Sequence, residues 1–470
     1  MQYETVIGLE IHIELKTESK IFCSCPTTFG APPNTQICPV CMGMPGALPV
    51  LNKKVVEYAV KAGLATHCEI ASYSKMDRKN YVYPDLPKAY QISQYDLPLC
   101  TGGYVAIETP EGEKRVRLTR IHIEEDAGKL THDAALGTLF DCNRCGVPLI
   151  EIVTEPDLRS AQEALDFLEK LRAAILYTGI SDCRMNEGSM RCDVNLSVRP
   201  AGSDTLGTRT ETKNLNSFQS VRRTVEYEAA RQAAALEAGE PIAQETRRFD
   251  QGSGRTYSMR SKENANDYRY FPDPDLCAVE LSQSEIRRLR GEIPQLPEER
   301  RAGYMERYGL SRYDAGQLTN EREVAAYFEE AAELTAYPKI LANLLTGEVF
   351  RLRGQDGAVP VSPAHMAALS TLIGEGRVNS SAGKKVLAAL WERDEEPSAV
   401  VRRLGLEQVG DEATLRGLLA EAVAANPNAV ADYRAGKASA LQAVMGHVMK
   451  AAGGRADPVK LRALLEEMLK

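Results

Sequence analysis

Apolar and polar positions alternate most regularly near the start of the chain, where Leu9, Ile11, Ile13 and Leu15 are interleaved with Glu10, His12 and Glu14. On a strand the two sets take opposite faces, so this stretch predicts a strand that buries its aliphatic row and presents two carboxylates and an imidazole. A half-solvated antiparallel strand alternates for the same reason, and the face alone does not establish a site. The pattern returns downstream, however. Residues 191–199 place Arg191, Asp193, Asn195, Ser197 and Arg199 on one face, and 208–216 do the same with Arg209, Glu211 and Lys213. A further strand is predicted through 113–123, ending in the acidic run Glu124-Glu125-Asp126 ahead of Gly128.

Helical spacing appears at Val55 to Leu64, at 218–238, and most clearly at Leu165, Leu168, Leu171 and Ile175 behind an acidic first turn. A Pro-interrupted segment, Glu292 to Pro297, is a candidate boundary. Past it the composition turns to Ala, Leu, Glu and Arg with helical periodicity, through 298 to about 400, and Gly405 to Gly410 reads as a hinge before a last helical stretch.

A chain of 470 residues exceeds one ordinary core and suggests two to four domains. No early apolar run reaches the length of a membrane span or a signal segment, which predicts a soluble, cytoplasmic protein with no membrane partner. The net charge of −8 argues against a protein that coats nucleic acid nonspecifically. The last 45 residues depart from that balance, with seven basic side chains, among them Arg434, Lys437, Lys450, Arg455 and Lys470, against four acidic ones. A basic helical tail suits a phosphate backbone, and a solvated helical face has the same composition.

Eleven cysteines without a secretory segment point to metal ligands or buried thiols rather than disulfides. Cys23-x-Cys25 and Cys38-x-x-Cys41, twelve residues apart, have the spacing of two turns converging on a tetrahedral structural zinc, with Gly43 in the second turn. Cys142-x-x-Cys145 has no partner pair at zinc spacing. The stretch 75–95 is rich in Lys, Arg, Tyr and Pro, which fits either a solvated loop or a stiff binding loop whose cations meet phosphates. Strands distant in sequence thus each carry carboxylates mixed with cations, His or Asn. A concave cleft built from them holds divalent cations opposite phosphate-binding groups, the layout of an ATP-dependent carboxylate activator. Two other readings compete: a noncatalytic zinc-bearing RNA-binding module, and a ligase acting on a free amino acid.

The motifs Val6–His12, Met76–Tyr81 running into Tyr83–Lys88, His122–Lys129, Glu211–Phe218 and Asp267–Pro272 together closely resemble the B-subunit family of glutamyl/aspartyl-tRNA amidotransferases (GatB of GatCAB), over nearly the whole chain. Asn428–Lys437 resembles the mobile tRNA-binding tail that this family shares with YqeY-like proteins. The resemblance implies an α+β fold with three parts. These are a cradle with a mainly antiparallel, glutamine-synthetase-like sheet and a zinc-knuckle insertion (1–295), an all-α domain (296–405), and a small YqeY-like helical tail (406–470). It implies an enzyme that uses ATP and magnesium to phosphorylate the side-chain carboxylate of Glu or Asp misattached to tRNA-Gln or tRNA-Asn. Ammonia, released from glutamine by the amidase (the A subunit), then displaces phosphate, while the small C subunit straps the heterotrimer together.

On that chemistry Glu10, His12, Glu125, Asp193 and Glu211 are the expected magnesium ligands, with Glu124 as a rival to Glu125. Lys79, Lys88 and Lys213 are expected to face phosphates, with Tyr83 and Asn195 also contacting nucleotide, and Arg434, Lys437, Lys450 and Arg455 to contact tRNA. His12 has the alternative role of orienting a water or a carboxylate. No Ser-Ser-Lys amidase constellation is present, so the chain is not expected to hydrolyse glutamine alone. Cys142 and Cys145 stand where the family pattern leads one to expect aromatic and small polar residues.

Overall fold

The computed structural model describes residues 2–261, 268–354, 357–408, 411–435, 437–453 and 455–469. Asp267 at the head of one family motif, Gly410 of the expected hinge, Gly436 and Lys470 lie outside the described residues. Two compact units are formed, Met1–Leu296 and Pro297–Lys470.

The first unit is built on one large sheet. Its longer strands are β1 (Tyr3–Glu14), β2 (Tyr104–Thr109), β3 (Gly112–Glu125), β4 (Pro148–Thr154), β5 (Met190–Pro200), β6 (Thr210–Leu215), β7 (Glu245–Asp250) and β8 (Arg255–Ser261). They pair in the order β8-β7-β6-β5-β1-β4-β3, with β2 folded back on β3. Every pairing is antiparallel except β6 with β7. The predicted α+β class with a mainly antiparallel sheet is what forms.

One face of this sheet is covered by α1 (Lys53–Ala65), α2 (Ala161–Thr178) and α3 (Phe218–Glu237). Helix α2 starts where Ser160 accepts the amide of Glu163 (3.2 Å), a side-chain cap that satisfies one orphan donor, and ends at the left-handed Gly179. Its Leu165, Phe167, Leu168 and Leu171 pack with Ile7, Leu9, Ile11 and Ile13 of β1, all essentially buried. At about 1.5–3 kcal/mol for each such side chain, a slip of one residue in β1 would exchange a large stabilisation for buried carboxylates, which pins the register. The opposite face is therefore fixed as the polar one.

A small sheet of Tyr90–Ser93, Asp77–Asn80 and Phe271–Pro272 carries the Lys- and Tyr-rich segment. Arg78 anchors it, donating from Nε to Asp273 (2.7 Å) while its guanidinium lies over the Tyr90 ring.

The second unit is helical and holds two apolar clusters. One runs from Tyr304 to Val401 and includes Phe328, Leu341, Leu369 and Leu387. The other joins Leu415, Leu419, Val444, Val448, Leu461 and Leu465 near the C-terminus. Among the described residues no helix is long and apolar enough to cross a membrane.

Candidate active site

Register assembles the polar face. Glu10 lies opposite Asp193 on β5 and Val153 on β4, and His12 lies opposite Glu151 on β4, which in turn faces His122 on β3. Asn195 lies opposite Glu211 on β6, and Glu211 opposite Thr246 on β7. Side chains two residues apart share a face, so one row crosses six neighbouring strands.

Two groups condense within the row. In the first, ligand atoms of His12, Glu124 and Glu151 all lie within 4.8 Å of one another. The His12 Nε2 atom is 3.4 Å from Glu124 and 3.7 Å from Glu151, and His122 Nε2 is 3.3 Å from Glu151. Arg120 Nε donates to His122 Nδ1 (3.2 Å), which leaves the Nε2 proton directed at the carboxylates. Burial opposes a charge on His122, but Glu151 and Glu124 outweigh it and hold its pKa up at about 9; full protonation then requires Arg120 to turn aside. Burial likewise works against the charges of Glu124 and Glu151, yet the imidazoles and Lys79 keep both below the ordinary carboxylate range. The Lys79 ammonium lies over the Tyr268 and Tyr81 rings (5.1 and 5.7 Å). Desolvation lowers its pKa and Glu124 more than restores it, so it remains charged.

The second group is Glu10, Asp193 and Glu211, again within 4.8 Å. Asn195 Nδ2 donates to Glu10 (2.8 Å) and Thr246 Oγ1 to Glu211 (3.0 Å), fixing the two carboxylates. Lys213 Nζ sits 3.3 Å from Asp193 and 3.4 Å from Glu211. Burial, together with Glu151 and Glu211, raises the pKa of Glu10. Three carboxylates with one ammonium leave an excess of negative charge in a partly desolvated place, and all donors are hard oxygens. Both features fit a divalent cation such as magnesium.

The structure does not bring every expected residue to this row. Glu125 points away from Glu124: it pairs with Lys88, and its carboxylate accepts the Ile92 amide (2.8 Å). Period-2 alternation is the reason, because His122 and Glu124 share a parity and Glu125 has the other. Lys88 is held beside Glu125 over the Phe22 and Tyr90 rings, away from both carboxylate groups. Tyr83 is an exposed loop residue whose carbonyl accepts the Leu86 amide (3.0 Å). Glu14 shares the β1 face but lies next to Asp126, with Arg191 and Arg144 also close; burial, then the Asp126 charge, pushes its pKa up to about 8.

Glu151, His122 and Thr246 were not among the sequence candidates. Glu151 left a signal nonetheless, as the single charge in the apolar run Pro148–Thr154 of a strand buried on both sides.

The cysteine expectation has a matching geometry. The sulfurs of Cys23, Cys25, Cys38 and Cys41 all lie within 4.8 Å, and Cys38 and Cys41 Sγ are 3.9 Å apart. A tetrahedron with Zn–S of about 2.3 Å has an edge of about 3.8 Å. The Cys38 amide donates to Cys41 Sγ (3.2 Å), and the Cys41 thiol is drawn down by a hydrogen bond from Cys23, with Lys20 adding to it. Gly43 is left-handed, and a Cβ there would strike Lys88 Cγ at 2.4 Å, so the knuckle packs directly on the Lys88 loop. Cys142 and Cys145 are buried free thiols; the Cys142 carbonyl receives the fully buried Lys20 ammonium (3.2 Å).

In the tail, Arg434, Lys437 and Lys450 are exposed. Arg455 is half-buried and spends its guanidinium on the carbonyls of Ala452 and Gly405 (3.1 Å each).

A family model described as "GatB/GatE catalytic domain" matches residues 5–287, and one described as "GatB domain" matches 326–469. The B subunit of the aspartyl/glutamyl-tRNA(Asn/Gln) amidotransferase of Caldicellulosiruptor saccharolyticus is 53% identical, covering 100% of this chain and 99% of that protein. Its counterpart from Thermoanaerobacter pseudethanolicus is 51% identical with 100% of both chains covered, and that from Thermosynechococcus vestitus 50% identical with 100% and 97% covered. With the carboxylate row on its sheet and relatives similar along its whole length, the chain belongs to the family of aspartyl/glutamyl-tRNA(Asn/Gln) amidotransferase B subunits.

Proposed function

We propose that this chain is the kinase and transamidase component of a glutamine-dependent amidotransferase. It converts Glu-tRNA(Gln), Asp-tRNA(Asn) or both to the amidated forms, in a heterotrimer with the amidase A subunit and the small C subunit. The observation that carries this reading is the pair of carboxylate groups side by side on one sheet face, joined through Glu10 and His12 of β1 and flanked by Lys79 and Lys213.

A carboxylate does not accept ammonia, because oxide is not a leaving group. The side-chain oxygen therefore attacks the γ-phosphorus of ATP, ADP departs, and an acyl phosphate forms. Ammonia then attacks the acyl carbon, its extra proton is lost, and inorganic phosphate leaves. The task of the protein in both steps is positioning and charge neutralisation. Glu10, Asp193 and Glu211 in one group, and His12, Glu124 and Glu151 in the other, are suited to hold magnesium, which when bound neutralises phosphate charge. Lys213 and Lys79 add fixed positive charge at the two ends of the row. Thr246 and Asn195 hold Glu211 and Glu10 in place, so little reorganisation accompanies the charge shift.

Tetrahedral zinc on Cys23, Cys25, Cys38 and Cys41 would brace the loop on which Lys88 rests. Arg434, Lys437 and Lys450 offer an exposed basic surface for tRNA, whereas Arg455 serves the packing of its own unit. The test uses the reconstituted complex with ammonium chloride in place of glutamine. Conversion of Glu-tRNA or Asp-tRNA to the amide that requires ATP and magnesium supports the assignment; tRNA binding without any amide would leave an RNA-binding module instead.

A further inference from the structure

Helix α3 packs behind β5, β6 and β8 with Val221, Thr224, Val225, Glu228 and Gln232, a buried stripe at helical spacing. Glu228 stands in that stripe where the periodicity asks for an apolar side chain, and it is fully buried. A carboxylate there costs several kcal/mol unless it is paired. Arg231 grips it from its own helix, Nε donating to Oε1 at 3.0 Å and Nη2 to Oε2 at 2.8 Å. Each of the three strands at this end of the sheet adds a group. Thr210 Oγ1 of β6 donates to Oε2 (3.3 Å), Arg247 Nε of β7 lies 3.1 Å from Oε1, and Thr256 Oγ1 of β8 donates to Oε1. Gln232 Nε2 in turn donates to Thr210 Oγ1 (2.9 Å). Burial opposes the charge of Glu228, but the donors from Arg231 and Thr256 outweigh it and hold its pKa below the ordinary carboxylate range.

Two of these groups are chain neighbours of the polar row. Thr210 precedes Glu211 and Arg247 follows Thr246, and successive residues of a strand face opposite sides. Holding Thr210 and Arg247 behind the sheet therefore turns Glu211 and Thr246 to the front, where Thr246 Oγ1 donates to Glu211 (3.0 Å). Little else sets this arrangement. Strands β6 and β7 pair in parallel over Glu211–Lys213 and Thr246–Arg248, beside a register shift between Thr246 and Arg247 in the pairing of β7 with β8. The two strands carry one large apolar residue each, Leu215 and Phe249, so hydrophobic pattern specifies their register weakly. For stability alone, apolar side chains in place of a buried ionic cluster are often neutral or better. What the cluster adds is orientation.

We infer that Glu228 is a positioning residue for the Glu10 group: its carboxylate ties β6, β7 and β8 to α3 in the register that presents Glu211, with its Thr246 partner, to a divalent cation. The cation rests on the function proposed above.

The experiment titrates manganese into the reconstituted complex, without ATP or tRNA, and follows binding by electron paramagnetic resonance. Glu211→Gln and Glu151→Gln identify the binding step that belongs to each carboxylate group. Glu228→Gln is expected to weaken the Glu211 step by about tenfold or more, the size usual for losing an outer support of a metal ligand, and to leave the Glu151 step within about twofold. Because Glu228→Gln strips Arg231 and Arg247 of a buried counter-charge, melting temperature is measured alongside. Thr210→Val, which removes one hydroxyl at nearly constant shape, repeats the test and decides it where Glu228→Gln does not fold; a weakening of about threefold confined to the Glu211 step is expected. In a folded variant, both steps unchanged or both weakened alike overturns the inference and leaves Glu228 to packing alone. A parent complex that binds no manganese on the row instead overturns the metal reading, and the inference with it.

Discussion

Replacing Glu151 by Gln removes one negative charge from the His12 group at almost constant shape. Glu151 Oε2 is 3.3 Å from His122 Nε2 and 3.7 Å from His12 Nε2, and it shares a ligand-sized space with Glu124. A unit charge about 4 Å from another is worth about 4 kcal/mol at an effective dielectric of about 20, and about twice that against a divalent cation. Two effects reduce the loss. The amide oxygen can still serve as a ligand, and His122 sheds its proton more readily once part of its counter-charge is gone. About 3–4 kcal/mol remains, which corresponds to a rise of roughly 10²–10³ in the magnesium concentration for half-maximal amidation. Manganese binding followed by electron paramagnetic resonance reports the same loss without turnover. Glu125→Gln is the internal control: its carboxylate belongs to Lys88 and the Ile92 amide, so magnesium half-saturation stays within about twofold. If Glu151→Gln leaves magnesium dependence unchanged while Glu125→Gln shifts it, the metal group has been placed on the wrong face of β3.

Further outcomes follow from other parts of the molecule. Protein purified without chelator should contain about one equivalent of zinc, and Cys41→Ser should lose it together with several kcal/mol of stability; less than about half an equivalent contradicts a four-sulfur site. Glu14, whose pKa is raised from 4.5 to about 8, leaves stability intact below pH 4.5 and withdraws it as pH rises towards and through 8. Glu14→Gln, which keeps a donor for Asp126 without the charge, should therefore melt higher than the parent at pH 8.5 and equally at pH 4.5; a gain confined to low pH refutes this. Substituting Arg434 and Lys437 by Gln should weaken tRNA binding and lower the slope of log affinity against log salt by about one for each phosphate no longer neutralised, with ammonium-dependent chemistry at saturating tRNA preserved. An unchanged slope excludes these side chains from binding the phosphates.

The sheet was legible in the sequence wherever one face is wet. Alternation through Leu9–Leu15 and 191–199 gave β1 and β5 with the right residues on the polar side, because a helix-covered face demands apolar side chains at every second position. Alternation fails for β4, which is buried on both faces and reads as a continuous apolar run, and so Glu151 does not stand out as part of a polar face. The choice between Glu124 and Glu125 was available from parity with His122, but an acidic run at a strand end obscures which carboxylate turns inward. Pairings between residues distant in sequence were not readable. Nothing local shows that Lys79 comes near enough to Glu124 and Glu151 to feel their charge, that Lys20 is buried with its ammonium on the Gln36 and Cys142 carbonyls, or that Arg455 turns to the backbone. Each depends on how loops return, which tertiary packing sets rather than local pattern.

Under the proposed function the side-chain carboxylate is activated through its own oxygen. The direct measurement uses Glu-tRNA labelled with ¹⁸O in the side-chain carboxylate, ATP, magnesium and ammonium, with mass analysis of the inorganic phosphate. An acyl phosphate predicts one labelled oxygen in phosphate for every amide formed. Amide formation with unlabelled phosphate would contradict phosphorylation of the carboxylate and, with it, the role given to the carboxylate row.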